Sequence, residues 1–422
     1  MAIADQKPLF SIPVAETFRR TTQFVVREVV RRDHSVARSR IRIIAGLEKS
    51  QLPDADLHDL CWLRAPSEPA LSAEYEPVRV VDLFAGCGGL SVGIREACRA
   101  LGYGMESVLA NDFESRTLDI YGLNFEEADL RSCPVEELLD SPVGSKALSS
   151  IERRLRSDLG PIDLVIGGPP CQGHSNLNNH TRNADPKNEL YMRMVRFCEV
   201  IRPESVVIEN VPGVIRDRGG VAQRAWKRLE QLGYSVDTMV IDASMVGAAQ
   251  KRKRSITVAS LSVVPSLADA VFDVAAGPRP VTWAISDLID LEESSVFDTP
   301  AEPSAENARR MKYLIDRGIY ELPDSKRPDC HRLKPHTYDA VYGRLYPDRP
   351  SPTITTGFGS MGRGRFTHYA LPRTITPHEA ARIQFFPDFY DFGDSGRTLL
   401  HRMIGNAVPP KLGYAIGLHL LR

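Results

Sequence analysis

Apolar runs that stop at glycine, proline or acidic residues recur through the first two thirds of the chain. Residues 78–83, 162–166 and 205–208 are short apolar runs, typical of buried parallel strands. Segments with helical spacing lie between them, beginning near Leu90 and spanning 188–201 and 221–232, and further strands are predicted over 234–242 and 255–260. This alternation predicts a doubly wound α/β fold, whose ligands bind at the carboxyl ends of the strands.

The segment before these runs has a different pattern. Apolar residues from 14 to 46 recur at mixed spacings of three and four, which predicts a helix. Eight arginines make it strongly basic: Arg19, Arg20, Arg27, Arg31, Arg32, Arg38, Arg40 and Arg42. Such a helix suits either a solvated face or a contact with nucleic acid or a partner. Residues 50–77 are predicted to be a connector with one short helix around 55–63.

The strand over 78–83 leads into a glycine turn at Gly86, Gly88 and Gly89. Glycines let a ligand approach the backbone, and a helix start offers free N–H groups. The spacing is not that of a dinucleotide site, and Asp82 favours a ligand with an ammonium group and hydroxyls over a pyrophosphate. The alternative is a generic sheet that uses glycine for packing.

The second strand, around 106–110, ends at Asn111, Asp112 and Phe113. An acid about 20 residues past a glycine turn is placed to accept ribose hydroxyls. Asp129 follows where a third strand is expected. Together these residues predict a nucleoside cofactor with a cationic tail, such as S-adenosylmethionine.

Cys171 follows the strand over 162–166 after two glycines and two prolines, and a polar loop comes next. A thiol held at a sheet edge by a proline turn is a candidate nucleophile, although a free cysteine is also commonly a buried core residue. The strand over 205–208 ends at Glu209, a candidate acid at the same edge. Residues 250–254 hold a basic cluster that, taken alone, is more typical of a solvated hairpin tip than of a functional site.

Composition excludes several classes of protein. The chain has 422 residues, of which 42% are hydrophobic and 25% charged, with a net charge of −1. It has no apolar run long enough for a membrane helix and no secretory signal pattern. Seven scattered cysteines without a C-x-x-C pair argue for a reducing cytosol and against a disulfide framework or a zinc site.

The alternation of strands and helices fades after residue 261. Residues 309–349 are basic with interleaved aromatics, which suits contacts with phosphates and stacked bases but also an ordinary solvated surface. Residues 351–366 are predicted to form a strand, a glycine loop and a second strand, with Arg363 and Arg365 on flexible backbone. Helices are predicted over 377–384 and 411–421.

Six segments, in order, resemble those of DNA (cytosine-5) methyltransferases of prokaryotic type. They are Asp82-Leu-Phe-Ala-Gly-Cys-Gly-Gly89, Gly168-Pro-Pro-Cys-Gln-Gly-His-Ser175, Glu209-Asn-Val-Pro-Gly213, Gln250-Lys-Arg-Lys-Arg254, Arg349-Pro-Ser-Pro-Thr-Ile-Thr355 and Gly405-Asn-Ala-Val-Pro-Pro410. The resemblance covers residues 78–422. It implies a Rossmann-like S-adenosylmethionine-dependent catalytic domain over 78–260 and 401–422, a smaller, irregular, β-rich target-recognition domain over 261–400, and a helical, arginine-rich extension over 1–77.

The resemblance also implies a role for each matching residue. Cys171 is the nucleophile, Glu209 contacts the target base, and Arg252 lies in the catalytic pocket with Arg254. The cofactor residues are Phe84, Ala85, Gly86, Gly88, Gly89, Leu90, Asp112, Phe113, Asp129 and Asn406. This sequence departs from the family at Ala249, where a proline is usual, and at Asn111-Asp112, where a glutamate is usual.

The substrate implied is double-stranded DNA, from which the target cytosine must be flipped out. Residues 173–187 are expected to close over that base, and the segment from Lys326 to Tyr346 to read the sequence. Candidate DNA contacts are Ser175, Arg182, Gln250, Lys326, Arg332, Tyr342, Arg344, Arg363 and Arg365. The enzyme is expected to act as a cytoplasmic, nucleoid-associated monomer, without a metal, and in company with a restriction nuclease or another defence protein.

Two other functions fit part of this pattern. A transfer-RNA cytosine-5 methyltransferase would share the catalytic residues, but such relatives usually carry a Cys-Phe-Thr tripeptide, which the sequence lacks. A catalytically silent DNA-binding regulator would not be expected to keep Cys171, Glu209 and the glycine turn.

Overall fold

The amino-terminal part of the chain is a small antiparallel sheet, not the helix predicted from its spacing. The computed structural model describes residues 16–70, 75–170, 189–274, 276–292, 294–332 and 340–422. Strands β1 (Glu16–Arg20), β2 (Phe24–Val30) and β3 (Val36–Arg42) pair in the order β1-β2-β3, and helix α1 (Asp54–Leu63) follows.

The helix prediction failed because one inward position of the central strand is an arginine. Val25, Arg27 and Val29 are all buried, with exposed fractions of 0%, 2% and 0%, so the strand does alternate with a period of two. Because Arg27 is charged, the pattern of apolar residues alone does not show that alternation. The connector helix predicted over 55–63 is confirmed as α1.

The middle of the chain forms a seven-stranded sheet with helices on both faces. Its elements are β4 (Tyr75–Leu83), α2 (Gly89–Leu101), β5 (Tyr103–Asp112), α3 (Ser115–Asn124), β6 (Asp129–Ser132), α4 (Ser150–Leu159), β7 (Leu164–Gly167), α5 (Tyr191–Ile201), β8 (Ser205–Asn210), α6 (Val221–Gln231), β9 (Ser235–Asp242) and β10 (Lys253–Ser260). The strand order is β6-β5-β4-β7-β8-β10-β9, with β10 antiparallel to both of its neighbours. The predicted α/β Rossmann-like class is confirmed.

The remaining residues form short helices and irregular segments. The helices are α7 (Leu267–Asp273), α8 (Val281–Ile285), α9 (Ala305–Asp316), α10 (Asp329–Arg332), α11 (Pro377–Ile383), α12 (Arg397–Asn406) and α13 (Pro410–Leu421). In the described part of 261–400, β structure is limited to isolated bridges, so this region is irregular but not β-rich. The strand, loop and strand predicted over 351–366 are likewise wrong: Ser351 makes a single bridge with Gln250, and Met361–Arg363 is a 3₁₀ turn.

Helix α2 is buried on almost every side, and this explains the position of the amino-terminal sheet. Of its residues only Arg95 is not buried. Strand β3 and helix α13 pack against it, and α13 comes so close that a Cβ at Gly93 would lie 2.1 Å from the Pro410 carbonyl oxygen. Among the helices of the described ranges, none has the length and apolar character to span a membrane.

Candidate active site

The carboxyl ends of three parallel strands meet at one edge of the large sheet. Leu83 of β4 is paired with Gly167 of β7, and Gly167 is paired with Ile208 of β8. The glycine turn, the proline turn and Glu209 therefore leave the sheet side by side, as the sequence predicted. Cys171 itself, with Ser175 and Arg182, lies outside the described residues.

The proline turn before Cys171 is held by the neighbouring strand. The Asn210 side-chain amide donates a hydrogen bond to the Pro169 carbonyl oxygen at 3.1 Å. A Cβ at Gly168 would lie 3.0 Å from Glu209 Oε2, so the carboxylate rests against the turn only because residue 168 is glycine. Glu209 thus contacts the turn at Gly168, which is three residues before the predicted nucleophile Cys171.

Glu209 forms an ion pair with Arg254. Arg254 Nε lies 2.6 Å from Glu209 Oε1, and the two side chains are 13% and 11% exposed. Strands β8 and β10 are adjacent in the sheet, and this brings the two predicted catalytic residues together. A largely dehydrated carboxylate held by a guanidinium keeps a fixed orientation, as a base-binding group requires.

Arg252 is directed to backbone carbonyls instead. Its guanidinium donates hydrogen bonds to the carbonyl oxygens of Ile354 at 2.7 Å, Gly405 at 2.9 Å and Asn406 at 3.3 Å. The side chain is buried. These bonds join the basic segment to the two later segments of the family pattern, so the described contacts of Arg252 are those of a positioning residue.

The glycine turn is shaped by close contacts and by left-handed backbone. Phe84 and Gly86 have positive φ values of 62° and 54°, and the Gly86 N–H donates to Asp112 Oδ2 at 2.9 Å. A Cβ at Gly88 would lie 2.9 Å from the Tyr121 ring, and one at Gly89 would lie 2.4 Å from the Val408 carbonyl oxygen. Both glycines are therefore required by packing as well as by any ligand.

Three other predicted cofactor residues, Ala85, Leu90 and Asp112, lie in the turn or beside it. Ala85 N–H donates to the Asn111 carbonyl oxygen at 2.9 Å, which ties the turn to the end of β5. Leu90 is buried in the core beneath the turn. Burial raises the pKa of Asp112, although backbone N–H groups of Glu114 and Gly86 offset part of that effect.

Phe113, Asp129 and Asn406 are all exposed. Phe113 has 72% of its surface exposed beside Asp112, so its ring face is open to a ligand. The Asp129 carboxylate is ion-paired with Arg131 at 2.6 Å, which leaves it less free for a ligand than the sequence suggested. Asn406 ends α12 beside the contacts of Arg252.

Asp82 has a different surrounding from the one expected of a ligand-binding acid. It is buried, and its Oδ2 accepts a hydrogen bond from the Ser91 hydroxyl at 2.6 Å. Ser91 also contacts the Tyr121 hydroxyl at 3.0 Å. Burial raises the pKa of Asp82 to about 8, so the group is an internal acid below the turn.

Two of the candidate DNA contacts, Gln250 and Arg365, make contacts within the protein. Gln250 is fully buried, and its amide bonds to Gln384 and to the Ile354 N–H. Arg365 is buried and donates to the Tyr320 carbonyl oxygen at 2.9 Å and to Glu321 at 2.9 Å. Neither side chain is open to DNA in this structure, because both are buried and form hydrogen bonds within the protein.

Arg344, like Arg365, makes contacts within the protein. Its Nε donates to the Tyr369 carbonyl oxygen at 2.7 Å, and its guanidinium lies over the Tyr320 ring. Its contacts are therefore also internal, although part of the side chain is exposed.

The other described candidates are at the surface. Lys326 and Arg332 are exposed, and Arg332 is paired with Asp329 at 2.6 Å. Tyr342 is half-buried beside Arg310 and has a positive φ of 62°. Arg363 is exposed and has no ion-pair partner among the described residues.

Sequence reasoning missed His401, which lies beside Arg363. Both line an open cavity with Thr356, Gly357, Gly359 and Ser360. The run of glycines over 357–364 predicts a flexible loop from sequence. The spacing of these glycines is the signal in the sequence that points to close packing, because glycines also occur where side chains pack closely on a backbone.

The chain is similar in sequence to known proteins along most of its length. The sequence model of C-5 cytosine-specific DNA methylases matches residues 78–422. Type II methyltransferase M1.BsuMI of Bacillus subtilis (strain 168) is 46% identical over 398 residues, which are 94% of this chain and 93% of that protein. That match is longer than residues 78–422, so it reaches into the amino-terminal segment.

More distant relatives match over a smaller part of the chain. Type II methyltransferase M.DdeI of Desulfomicrobium norvegicum is 29% identical over 385 residues, 80% of this chain and 87% of that protein. Among solved structures, Spodoptera frugiperda DNMT2 matches with a TM-score of 0.55 and 16% identity, covering 82% of this chain and 100% of that chain. At that identity the structural match indicates a common fold.

Proposed function

Because the chain belongs to the C-5 cytosine-specific DNA methylase family, we propose that it methylates C5 of a cytosine flipped out of a specific duplex DNA sequence, with Cys171 as nucleophile and S-adenosylmethionine as donor. The observation that carries this proposal is the Glu209–Arg254 pair, which rests on Gly168 at the turn before Cys171. Duplex DNA is the substrate class, and transfer RNA is the alternative to be tested.

The proposed chemistry explains why a thiol is needed at this position. Cytosine C5 is a poor nucleophile because the ring is aromatic. If the Cys171 thiolate adds to C6, the 5,6 double bond is lost and C5 becomes enamine-like. C5 could then take the methyl group while the bond between that carbon and the donor sulfonium breaks, and the electron pair of that bond would stay on the sulfur. The C5 proton then leaves to a base, the S–C6 bond breaks, and the ring regains its double bond.

Each described residue at the edge has a part in this proposal. Glu209 would bind the N3 and amino edge of the flipped base, and Arg254 would hold its carboxylate in place. Arg254 would also make the site electropositive, which favours the thiolate form of a cysteine. Arg252 would act as a positioning residue, because it holds the segments around Ile354 and Asn406 against the catalytic strand.

The glycine turn fits an adenosyl group. The space above Gly86 is open, since a Cβ there would meet nothing within 4 Å. The exposed Phe113 ring offers a face for a base, and Asp112 beside it offers a carboxylate for ribose hydroxyls. S-adenosylmethionine would supply a methyl group made electrophilic by its sulfonium. Phe84, Gly88, Gly89 and Leu90 would form the wall of this site.

The biological setting is proposed from the relatives. M1.BsuMI and M.DdeI are named Type II methyltransferases, so we place this enzyme in a restriction-modification or related defence system, acting on DNA in the cytoplasm as a monomer. Residues 78–260 and 401–422 would form the catalytic domain and 261–400 the target-recognition domain, with Lys326, Arg332 and Tyr342 nearest to DNA. Ser175 and Arg182 would belong to a loop over the flipped base.

The test is a Cys171→Ala variant assayed on duplex DNA and on transfer RNA with labelled S-adenosylmethionine. We expect the wild type to label duplex DNA only, and the variant to bind duplex DNA without labelling it. Cys133→Ala is the matched control, because Cys133 is a partly exposed thiol that follows the edge strand β6, four strands away from Glu209 on β8, and its loss should leave transfer intact. Measurable transfer by Cys171→Ala, or labelling of transfer RNA in preference to DNA, would refute the proposal.

A duplex containing 5-fluorocytosine tests the covalent step separately. Fluorine at C5 cannot leave as a proton does, so the adduct between Cys171 and C6 should persist through a denaturing gel. The wild type and Cys133→Ala should form this adduct, and Cys171→Ala should not. Bisulfite sequencing of DNA from expressing cells would then identify the methylated sequence.

A further inference from the structure

The outer face of the amino-terminal sheet is rich in arginine. Glu28 is the one acid among the outward residues of β1, β2 and β3. The whole chain has 53 basic and 54 acidic residues, so four positive charges against one negative are a local excess. Four exposed residues form this arginine face: Arg19 of β1, and Arg38, Arg40 and Arg42 of β3.

The arginines flank a lower, partly apolar stripe on the central strand. Val26 lies directly between Arg19 and Arg40 in the register of the three strands. Neighbouring strands are about 4.8 Å apart, so the backbones that carry these two arginines are about 10 Å apart. The Arg40 guanidinium lies over the Phe24 ring, 4.7 Å from its centroid. Because valine is much shorter than arginine, cationic groups stand on both sides of a shallow trough.

Most of these cations are available to a ligand. Arg38 is paired with Glu28 at 2.8 Å. Within the described ranges, no carboxylate lies at ion-pair distance from the guanidinium of Arg19, Arg40 or Arg42. Alternate residues of a strand are about 7 Å apart, so the three arginines of β3 also repel one another. A bound polyanion would relieve that repulsion.

One end of the arginine face lies toward the catalytic edge. Arg27 of β2 contacts Glu96 of α2, and Arg31, just after β2, donates to the carbonyl oxygen of Leu101 at the end of α2. Strand β2 therefore runs along α2 in the same direction. Because α2 begins in the glycine turn, the start of β2 and Arg42 opposite it lie toward that turn.

We propose that the arginine face binds the sugar-phosphate backbone of duplex DNA that extends beyond the methylated sequence. This inference rests on the proposed function, because it takes duplex DNA as the polyanion that this protein meets. A duplex carries one negative charge per about 1.7 Å of its axis, so the row of arginines on β3, about 14 Å long, would face several phosphates. Guanidinium groups bind phosphate oxygens in pairs of hydrogen bonds.

The proposed contact differs in kind from recognition of the target. It would involve phosphates and no bases, so it would add affinity without sequence preference. The face also precedes residue 78, where the match to the methylase family begins. The amino-terminal sheet would therefore lengthen the stretch of DNA that the enzyme holds.

The first measurement is the salt dependence of duplex binding by the wild type and by the triple variant Arg19→Gln/Arg40→Gln/Arg42→Gln. One duplex is limited to the methylated sequence, and the other extends it by several helical turns on both sides. On the extended duplex, the slope of log Kd against log salt should fall by about 2.7, which is about 0.9 for each of three phosphate contacts. On the short duplex, the slopes of the two proteins should agree.

A matched control removes the same charge elsewhere. Arg153→Gln/Arg154→Gln/Lys227→Gln changes three exposed cations on α4 and α6, and should keep the wild-type slope on both duplexes. Since every substituted side chain is exposed, both triple variants should keep the wild-type midpoint in urea unfolding. Lysine at the three positions of the arginine face should restore the slope, because the charge is restored.

Glu28→Gln tests the same face with the opposite sign. It removes the one negative charge beside the trough and frees Arg38, so it should tighten binding of the extended duplex about two- to threefold. A glutamine variant of the arginine face that keeps the wild-type slope on the extended duplex would refute the proposal. That result is the one expected if the face binds an acidic protein instead. Unchanged or weaker binding by Glu28→Gln would also refute it.

The two proposals fail separately. Wild-type protein that labels no DNA would refute the proposed function, whatever the salt slopes. Wild-type protein that methylates DNA, together with a glutamine variant of the arginine face that binds the extended duplex with an unchanged slope, would refute the inference about this face alone.

Discussion

Replacing Arg27 with methionine tests whether the amino-terminal sheet is part of the enzyme's folded core. Arg27 lies on the inner face of β2, where its guanidinium is 2.9 Å from Glu96 of α2 and donates to Ser39 at 3.0 Å and to the Tyr414 hydroxyl at 3.1 Å. Removing one partner of a buried ion pair typically costs 3–5 kcal/mol. Glu96 would keep two hydrogen bonds from Arg99, each 2.7 Å long, so we expect the lower end, about 3 kcal/mol.

The assay is equilibrium unfolding in urea, followed by far-UV circular dichroism. The midpoint should fall while the slope with denaturant stays close to that of the wild type, because the surface exposed on unfolding is unchanged. Methyl transfer at a temperature where the variant remains folded should be close to wild type, since Arg27 does not touch the candidate active site. Arg38→Met is the control: Arg38 has 68% of its side chain exposed and is paired with Glu28, so its loss should leave the urea midpoint close to that of the wild type.

Equal stability of the two variants would contradict this reasoning. It would mean that the sheet is attached too loosely for its inner face to matter, in spite of the buried contacts. A fall in transfer rate without a fall in stability would contradict it differently, by giving Arg27 a role in the site itself.

Three further predictions concern the described residues near the site. Gln250→Leu should lower the free energy of unfolding by about 1–3 kcal/mol, because it leaves Gln384 buried without its partner, and should leave the salt dependence of DNA binding unchanged; a reduced salt slope would restore Gln250 as a DNA contact. The folded pKa of Asp82, about 8, lies above its unfolded value near 3.8, so the stability that Asp82 contributes is fully present below pH 4 and is lost as pH rises towards 8. Asp82→Asn should therefore stabilise the protein more at pH 8 than at pH 5 in urea unfolding, and an equal effect at both pH values would show that the pKa is not raised. Glu209→Gln should slow single-turnover methylation by about 100-fold or more with little loss of stability, because the amide still hydrogen-bonds Arg254 but cannot carry a proton; an unchanged rate would remove Glu209 from the chemistry.

The large sheet and its functional edge could be predicted because they depend on local signals. Short apolar runs that end in glycine, proline or an acid give both the strand and the edge at which it ends. The glycine turn, the Pro169 turn and Glu209 were placed in this way, and the pairing of β4, β7 and β8 then brings them together.

Several expectations from the sequence differ from the structure for one physical reason: polar side chains find partners that lie far away along the chain. Arg27 is buried because Glu96 and Tyr414 lie opposite, and Gln250 is buried because Gln384 accepts its amide. Arg365 is likewise buried because it donates a hydrogen bond to the Glu321 carboxylate. From sequence, such a residue has the same pattern as a solvated one, because its partner is far away along the chain and burial of a charge depends on that partner.

The contact between α2 and α13 has a consequence for the order of biosynthesis. Helix α2 and the sheet that covers it are made early, yet the glycine-lined surface at Gly93 and the inward side chain of Arg27 both find partners on α13, more than 300 residues later. Until that helix leaves the ribosome, Arg27 lacks its contact with the Tyr414 hydroxyl, and the early segment carries an open apolar face. This protein therefore depends on α13 to close a core that β2 and α2 begin, and a chain without α13 would expose that face to chaperones and proteases.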